Sequence, residues 1–114
     1  MTENIVTGQT TDGILGVAGR LHQSLIAGND ASRNGRDGIR LGPGTSANVV
    51  RGNVADENGR NGIYALNAIT NLFEANQMLG NGVYDARDDN RAANTWSGNH
   101  CFTDFPAGTI CVVG

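Results

Sequence analysis

The chain repeats itself about every 23 residues, and few folds can accommodate such a period. The segment Asn48-Val49-Val50-Arg51-Gly52-Asn53 returns as Asn71-Leu72-Phe73-Glu74-Ala75-Asn76 and again as Asn94-Thr95-Trp96-Ser97-Gly98-Asn99. Upstream copies are Ser24-Leu25-Ile26-Ala27-Gly28-Asn29 and Asn4-Ile5-Val6-Thr7-Gly8-Gln9. The third position gives a column of Val6, Ile26, Val50, Phe73 and Trp96, and the sixth a column of Gln9, Asn29, Asn53, Asn76 and Asn99. A second block reads Gly13-Ile14-Leu15, Gly38-Ile39-Arg40-Leu41, Gly62-Ile63-Tyr64-Ala65-Leu66 and Gly82-Val83-Tyr84. The Asn-Gly pairs at 34–35, 58–59 and 81–82 read as turns. Aligned this way, the fourth coil is about three residues short between its blocks and recovers the length over 87–93.

Helical solenoids need amphipathic stretches of ten or more residues, and none here is free of Gly or Asn. A leucine-rich repeat needs a Leu ladder that the chain lacks. A β-solenoid remains, with short strands between sharp corners. The 17 Gly and 14 Asn of the 114 residues then mark corners rather than disorder, because they stand in register. The expected fold is an all-β, right-handed parallel β-helix of about five coils. Its coils lie at about 4–20, 24–45, 48–66, 71–89 and 94–100, with a C-terminal cap at 101–114, all in one domain. Val6, Ile26, Val50, Phe73 and Trp96 are expected to form one wall of a thin core. Ile14, Ile39, Ile63 and Val83 form another, with Leu41 and Leu66 nearby. Asn side chains at the corners bond from coil to coil and serve backbone groups that a tight bend would orphan.

The N-x-x-x-G-N, N-G and G-I pattern, from Asn4 to Asn99, resembles the right-handed parallel β-helix superfamily of pectate-lyase-like folds. The segment from Asn94 through Pro106 and Cys111 is similar to the C-terminal end of secreted bacterial β-helix repeat proteins. The resemblance implies a fold and leaves the activity open, since the superfamily includes lyases, hydrolases, epimerases, tailspikes and adhesins. Its enzymes use acidic calcium sites with an Arg or Lys base, three Asp with a His, or an Asp-Pro-His motif. None of these stands here: neither Pro43 nor Pro106 precedes a His, and His22 and His100 fall about three coils apart. No catalytic residue, metal ligand set or cofactor is therefore assigned. Carboxylate pairs such as Glu74 with Asp85 or Asp56 with Glu57 read as scattered surface charge. Asp85, Asp88 and Asp89 read as a solvated loop, neutralised by Arg87 and Arg91.

One stripe points to binding. Arg40, Tyr64 and Tyr84 each follow an inward aliphatic residue and are expected to stack outward in successive coils, as a flat strip suited to sugar rings or a protein surface. Arg51 and Glu74, outward on the other strand, extend the candidate surface. The net charge of −3 with no basic run argues against nucleic acid, and no apolar run is long enough to span a membrane. No signal peptide is visible at the start of the chain. Cys101 and Cys111, ten residues apart in the segment that breaks the repeat, are expected to form a disulfide that closes the end, with two free thiols as the alternative. The N-terminal coil shows no cap, so its open strand edge invites a second subunit or a longer chain. The expectation is a noncatalytic structural or binding module, extracellular or at the cell surface. It would bind polysaccharide or associate end to end as a homo-oligomer. The alternative is a carbohydrate-active enzyme or a fragment of one.

Overall fold

The computed structural model describes residues 8–9, 11–16 and 23–112. It is a parallel β-solenoid whose successive rungs lie 23 to 25 residues apart, as in Leu72↔Thr95, Leu25↔Val49 and Ile14↔Ile39. Three sheets run along it. The first holds five strands, β1 (Ile14–Gly16), β3 (Ile39–Leu41), β5 (Asn61–Ala65), β8 (Tyr84–Asp88) and β11 (Asp104–Phe105). The second holds β2 (Leu25–Ala27), β4 (Val49–Arg51), β6 (Leu72–Glu74) and β9 (Thr95–Ser97). The third holds β7 (Gln77–Met78), β10 (Asn99–Cys101) and β12 (Cys111–Val112), extended upstream by bridges through Val54 to Asp30.

The strands are so short because each sheet ends at a sharp corner, and the three corners share one design. A residue with left-handed backbone precedes an inward polar residue, almost always Asn. Gly28, Gly52, Ala75 and Gly98 have φ of 66°, 64°, 54° and 63° and lead into Asn29, Asn53, Asn76 and Asn99. Gln23, Ala47 and Thr70 lead in the same way into Ser24, Asn48 and Asn71. Arg33, Glu57 and Gly80 lead into Asn34, Asn58 and Asn81, and Gly8 into the exposed Gln9. Each buried Asn then accepts, through Oδ1, the backbone N–H of the preceding rung, as in Asn29→Asn53→Asn76→Asn99 at 2.8, 3.0 and 3.1 Å. Parallel ladders run Asn48→Asn71→Asn94 and Asn34→Asn58→Asn81. The polar groups orphaned by each bend are thus paired inside the fold.

Ala75 is the one residue of the Gly28–Gly52–Gly98 column that carries a Cβ in the left-handed region, where an L-residue costs roughly 1–2 kcal/mol. It is exposed, so packing does not hold it there. Ala75→Gly should stabilise the protein by about 0.5–1 kcal/mol after the added backbone entropy of glycine is subtracted, raising the thermal midpoint by a few degrees. A lowered midpoint would contradict this account of the corner.

The core column Ile26, Val50, Phe73 and Trp96 lies as the repeat predicts. All four are buried, and the Trp96 indole lies flat on Phe73, centroids 4.0 Å apart and planes within 11°. The second wall differs in its last member. Ile14, Ile39 and Ile63 are followed by Ala86, because Ile63 pairs with Ala86, whereas Val83 is 52% exposed. Gly82 stacks on Gly59, so the Asn-Gly turns keep the period and the fourth coil is not shortened between its blocks. The counterpart of Gly38 and Gly62 is Asp85. Gln9 also changes place: its N–H donates to Asn34, so it belongs to that ladder rather than to the Asn29 column. The upstream residues of the first coil, including Val6, His22 and the uncapped 1–5 edge proposed for association, lie outside the described residues.

Asp85 and Asp88 do not form a solvated loop. Both lie on β8 and are buried. A Cβ at Gly62 would sit 2.7 Å from Asn81 Nδ2. One rung on, no further Asn-Gly turn follows, and the Asp85 carboxylate occupies the space that the next amide would take. Its Oδ1 accepts Asn81 N and Nδ2, both at 3.0 Å, while Oδ2 accepts the N–H groups of Phe102 and Thr103. Asp88 ends the neighbouring ladder, accepting Asn94 Nδ2, Trp96 Nε1 at 2.8 Å and the Asn90 N–H. β11 and β12 continue two of the sheets in a contracted turn, with Asn99 opposite Cys111 only 12 residues on. The Cys101–Cys111 disulfide is formed, with Cα atoms 4.9 Å apart.

Candidate functional site

On the five-stranded sheet Ile14, Ile39, Ile63 and Ala86, and the residue two on from each, turn inward and the residue between turns outward, so a single file of side chains runs along its outer face. Pairing fixes its members as Leu15, Arg40, Tyr64, Arg87 and Phe105. Arg40 and Tyr64 stand where the sequence places them. Tyr84 does not follow them: it pairs with Asn61, and Arg87 takes the position above Tyr64. Gly82-Val83-Tyr84 mimics Gly38-Ile39-Arg40 locally, but 23 residues counted from Tyr64 lead to Arg87. The Tyr84 ring still flanks the strip, 5.7 Å from Phe105.

The file alternates cation and ring. The Arg87 guanidinium lies 4.6 Å from the Tyr64 centroid and 5.7 Å from that of Phe105, and Arg40 lies 5.9 Å from Tyr64 on the other side. These are distances at which a guanidinium is attracted to a π face. Asp89 joins from the end of the sheet, accepting the Tyr64 hydroxyl and pairing with Arg87 Nε at 3.1 Å. Arg40 Nε is buried and makes no hydrogen bond. Burial, followed by the hydrogen bond to Asp89 and its charge, pushes the Tyr64 phenol up from 10.0 to about 12.

That shift predicts a pH dependence. The folded chain holds the Tyr64 proton more tightly than the unfolded chain. The resulting stabilisation is complete below pH 10.0 and is lost as pH rises towards about 12. Phenolate absorbance in the folded protein should therefore include one component that appears only near pH 12 and is absent from Tyr64→Phe. Full ionisation of every tyrosine by pH 11 would overturn the Tyr64–Asp89 contact.

Arg51 and Glu74 are register neighbours, but on the four-stranded sheet, in the outward column Ala27, Arg51, Glu74 and Ser97. They face a different side of the solenoid and do not join the strip. Glu74 likewise makes no pair with the buried Asp85, and Asp56 is occupied by Gln77 Nε2 and the Leu79 N–H. His100 is exposed, its ring edge-on to Phe102.

Among the described residues, no three His, Cys, Asp or Glu side chains converge as a metal centre would need. Both cysteine sulfurs are committed to the disulfide. With that bond closed, the donors among the described residues do not fit copper, which requires free thiolate, thioether or imidazole groups together.

A family model described as periplasmic copper-binding protein (NosD) matches residues 1–105. No curated protein and no solved structure matches the chain. Among the described residues, no helix is long and apolar enough to cross a membrane.

Proposed function

The chain belongs to the NosD family, and from that premise we propose that it is a noncatalytic β-helix module working outside the cytoplasm, with the Arg40–Tyr64–Arg87–Phe105 strip as a carbohydrate-binding face. The word "periplasmic" in the family description and the disulfide, a bond that persists in oxidising compartments, both support the location. Copper takes no part in this reading, because the oxidised donor set does not fit it.

The observation that carries the binding face is the alternation of guanidinium and ring along one sheet. Successive rungs are spaced at roughly 4.8 Å, so the four side chains span roughly 14 Å, the length of a short oligosaccharide. Rings supply flat apolar area for the faces of sugars. Guanidinium groups supply forked donors for hydroxyl or carboxylate oxygens, and Arg40 Nε is a buried donor without a partner. Asp89 supplies an acceptor at the edge.

Titration calorimetry with acidic and neutral oligosaccharides tests the reading. Arg87→Ala and Tyr64→Ala should each weaken binding by about tenfold or more, with the circular dichroism of the parent retained because neither side chain is in the core. The Arg51→Ala variant, on another sheet, should bind as the parent does. Equal loss in Arg51→Ala, or no binding by the parent, would exclude the strip. Release of reducing or unsaturated ends from any of these polymers would replace the module reading with an enzymatic one.

A further inference from the structure

We infer that the outer face of the four-stranded sheet is a contact with a second copy of this chain, paired face to face about a two-fold axis between β4 and β6. This inference is independent of the carbohydrate face, which lies on another sheet. Two columns run along the outside of β2, β4, β6 and β9. Leu25, Val49, Leu72 and Thr95 stand in register in one, and Ala27, Arg51, Glu74 and Ser97 in the other. The first column sets three aliphatic side chains in line on the surface, with Leu25 exposed and Val49 and Leu72 half-buried. The second sets Arg51 and Glu74 on adjacent rungs. Opposite charges so placed commonly pair across a sheet. Here, among the described residues, neither side chain has an ion-pair or hydrogen-bond partner.

The order of the columns selects the partner. A two-fold axis parallel to the strands, between β4 and β6, lays each column on its own copy in reverse order. Arg51 then faces the partner's Glu74, and Glu74 the partner's Arg51. Val49 meets the partner's Leu72, while Leu25 and Ala27 lie over the partner's Thr95 and the partner's Ser97, so all four rungs are matched. Moving the axis onto β4 sets Arg51 against its own copy, and moving it onto β6 does the same to Glu74. An axis along the solenoid lays the aliphatic column on the charged one. A single arrangement therefore satisfies both columns, and its neighbours are penalised by like charges or by charges set against apolar side chains. The strands of the two sheets run in the same direction, as in aligned sheet packing.

Residues at roughly 3.3 Å along each short strand and rungs at roughly 4.8 Å make a small face, well below the roughly 800 Å² per partner of a standard interface. The association is therefore weak and reversible, and its ion pairs make it weaker as salt is added. The five-stranded sheet stays outside the contact. A pair of chains thus carries two Arg40–Tyr64–Arg87–Phe105 strips, and where the strip binds sugar, the pair holds a polymer at two points.

The test is sedimentation equilibrium of the whole chain from micromolar to millimolar concentration, at low and at high salt. The parent should pass reversibly from monomer to dimer, and less readily at high salt. Arg51→Glu and Glu74→Arg should each weaken self-association by about tenfold or more, because every ion pair becomes a like-charge contact. Each should keep the circular dichroism of the parent, since both side chains point outward. Mixed in equal amounts, the two variants should form a heterodimer at least as readily as the parent dimerises, because each then offers one sign of charge to the other. A parent that stays monomeric at millimolar concentration would overturn the contact, as would parent dimerisation that does not weaken with salt. Single variants that dimerise like the parent would also overturn it and place the association elsewhere, such as end to end. So would a mixture of the two variants that stays monomeric. None of these outcomes bears on oligosaccharide binding, which Arg87→Ala reports separately.

Discussion

Asn76→Ala should lower the thermal midpoint by about 10 °C or more, the largest loss expected from any single polar side chain in the protein. Asn76 is buried in the middle of a ladder. Its Nδ2 donates to Val50 O and to Asn99 Oδ1, both at 2.9 Å, and its Oδ1 accepts Asn53 N and Nδ2, both at 3.0 Å. Truncation leaves the Asn53 N–H without a partner inside the fold and removes a donor from the Val50 carbonyl. Each buried polar group so stranded costs about 1–3 kcal/mol, so roughly 3–5 kcal/mol is at stake. Asn76→Asp separates the two halves of the role. It keeps the acceptor for Asn53 but loses both donor bonds, and it places a charge beside the Val50 carbonyl. It should be as unstable as Asn76→Ala at neutral pH and partly recover in acid, where the carboxyl can donate. Thermal unfolding followed by circular dichroism at both pH values decides the matter. A shift of a degree or two for Asn76→Ala would show that water replaces the ladder without penalty.

Phe73→Ala should cost about 3–5 kcal/mol, the range for removing a large buried ring. The ring is fully buried, with Val50 behind it and the Trp96 indole stacked in front. In so thin a core, few neighbours can move into the gap. Phe73→Leu, which retains most of the volume, should lose less than half as much. Trp96 is the only tryptophan, so its fluorescence reports the stack directly. Emission should shift to the red in Phe73→Ala at temperatures where the chain remains folded. An unshifted spectrum with a full loss of stability would mean that the cost arises elsewhere than at the Phe73–Trp96 contact.

How far the sequence carries depends on where the repeat is regular. Ile26, Val50, Phe73 and Trp96 could be aligned by eye because every coil keeps an Asn or Ser two residues before and an Asn three residues after each of them. The register failed where a local likeness competed with the period. Gly82-Val83-Tyr84 looks like Gly38-Ile39-Arg40, and it drew attention from Asp85-Ala86-Arg87, the true counterpart, in which an acid stands where two glycines did. The acid was hard to read as structural, because its need arises only from the missing next amide, a fact of the assembled end and not of the local sequence. Arg87 was hidden from the binding strip for the same reason. β11 and β12 were invisible for another: two-residue strands carry no alternation, and their pairing is set by the rung beneath them. The disulfide was readable because two cysteines in a contracted end leave few other partners.

The ladders have a direction. Each Asn gives its backbone N–H to the rung that follows, so every rung must have an acceptor ahead of it, and the last must find one that asks for nothing further. A carboxylate whose two oxygens only accept meets that requirement. Asp85 and Asp88 thereby close two of the three ladders. It follows that these two ladders are open to lengthening from within but not past their carboxylates. A duplicated 23-residue unit placed between the second and third rungs would find matched donors below and acceptors above. The same unit appended after Asn99 would meet carboxylates already saturated and a turn already contracted. Gene duplication in such a chain has somewhere to act, upstream of the two aspartates.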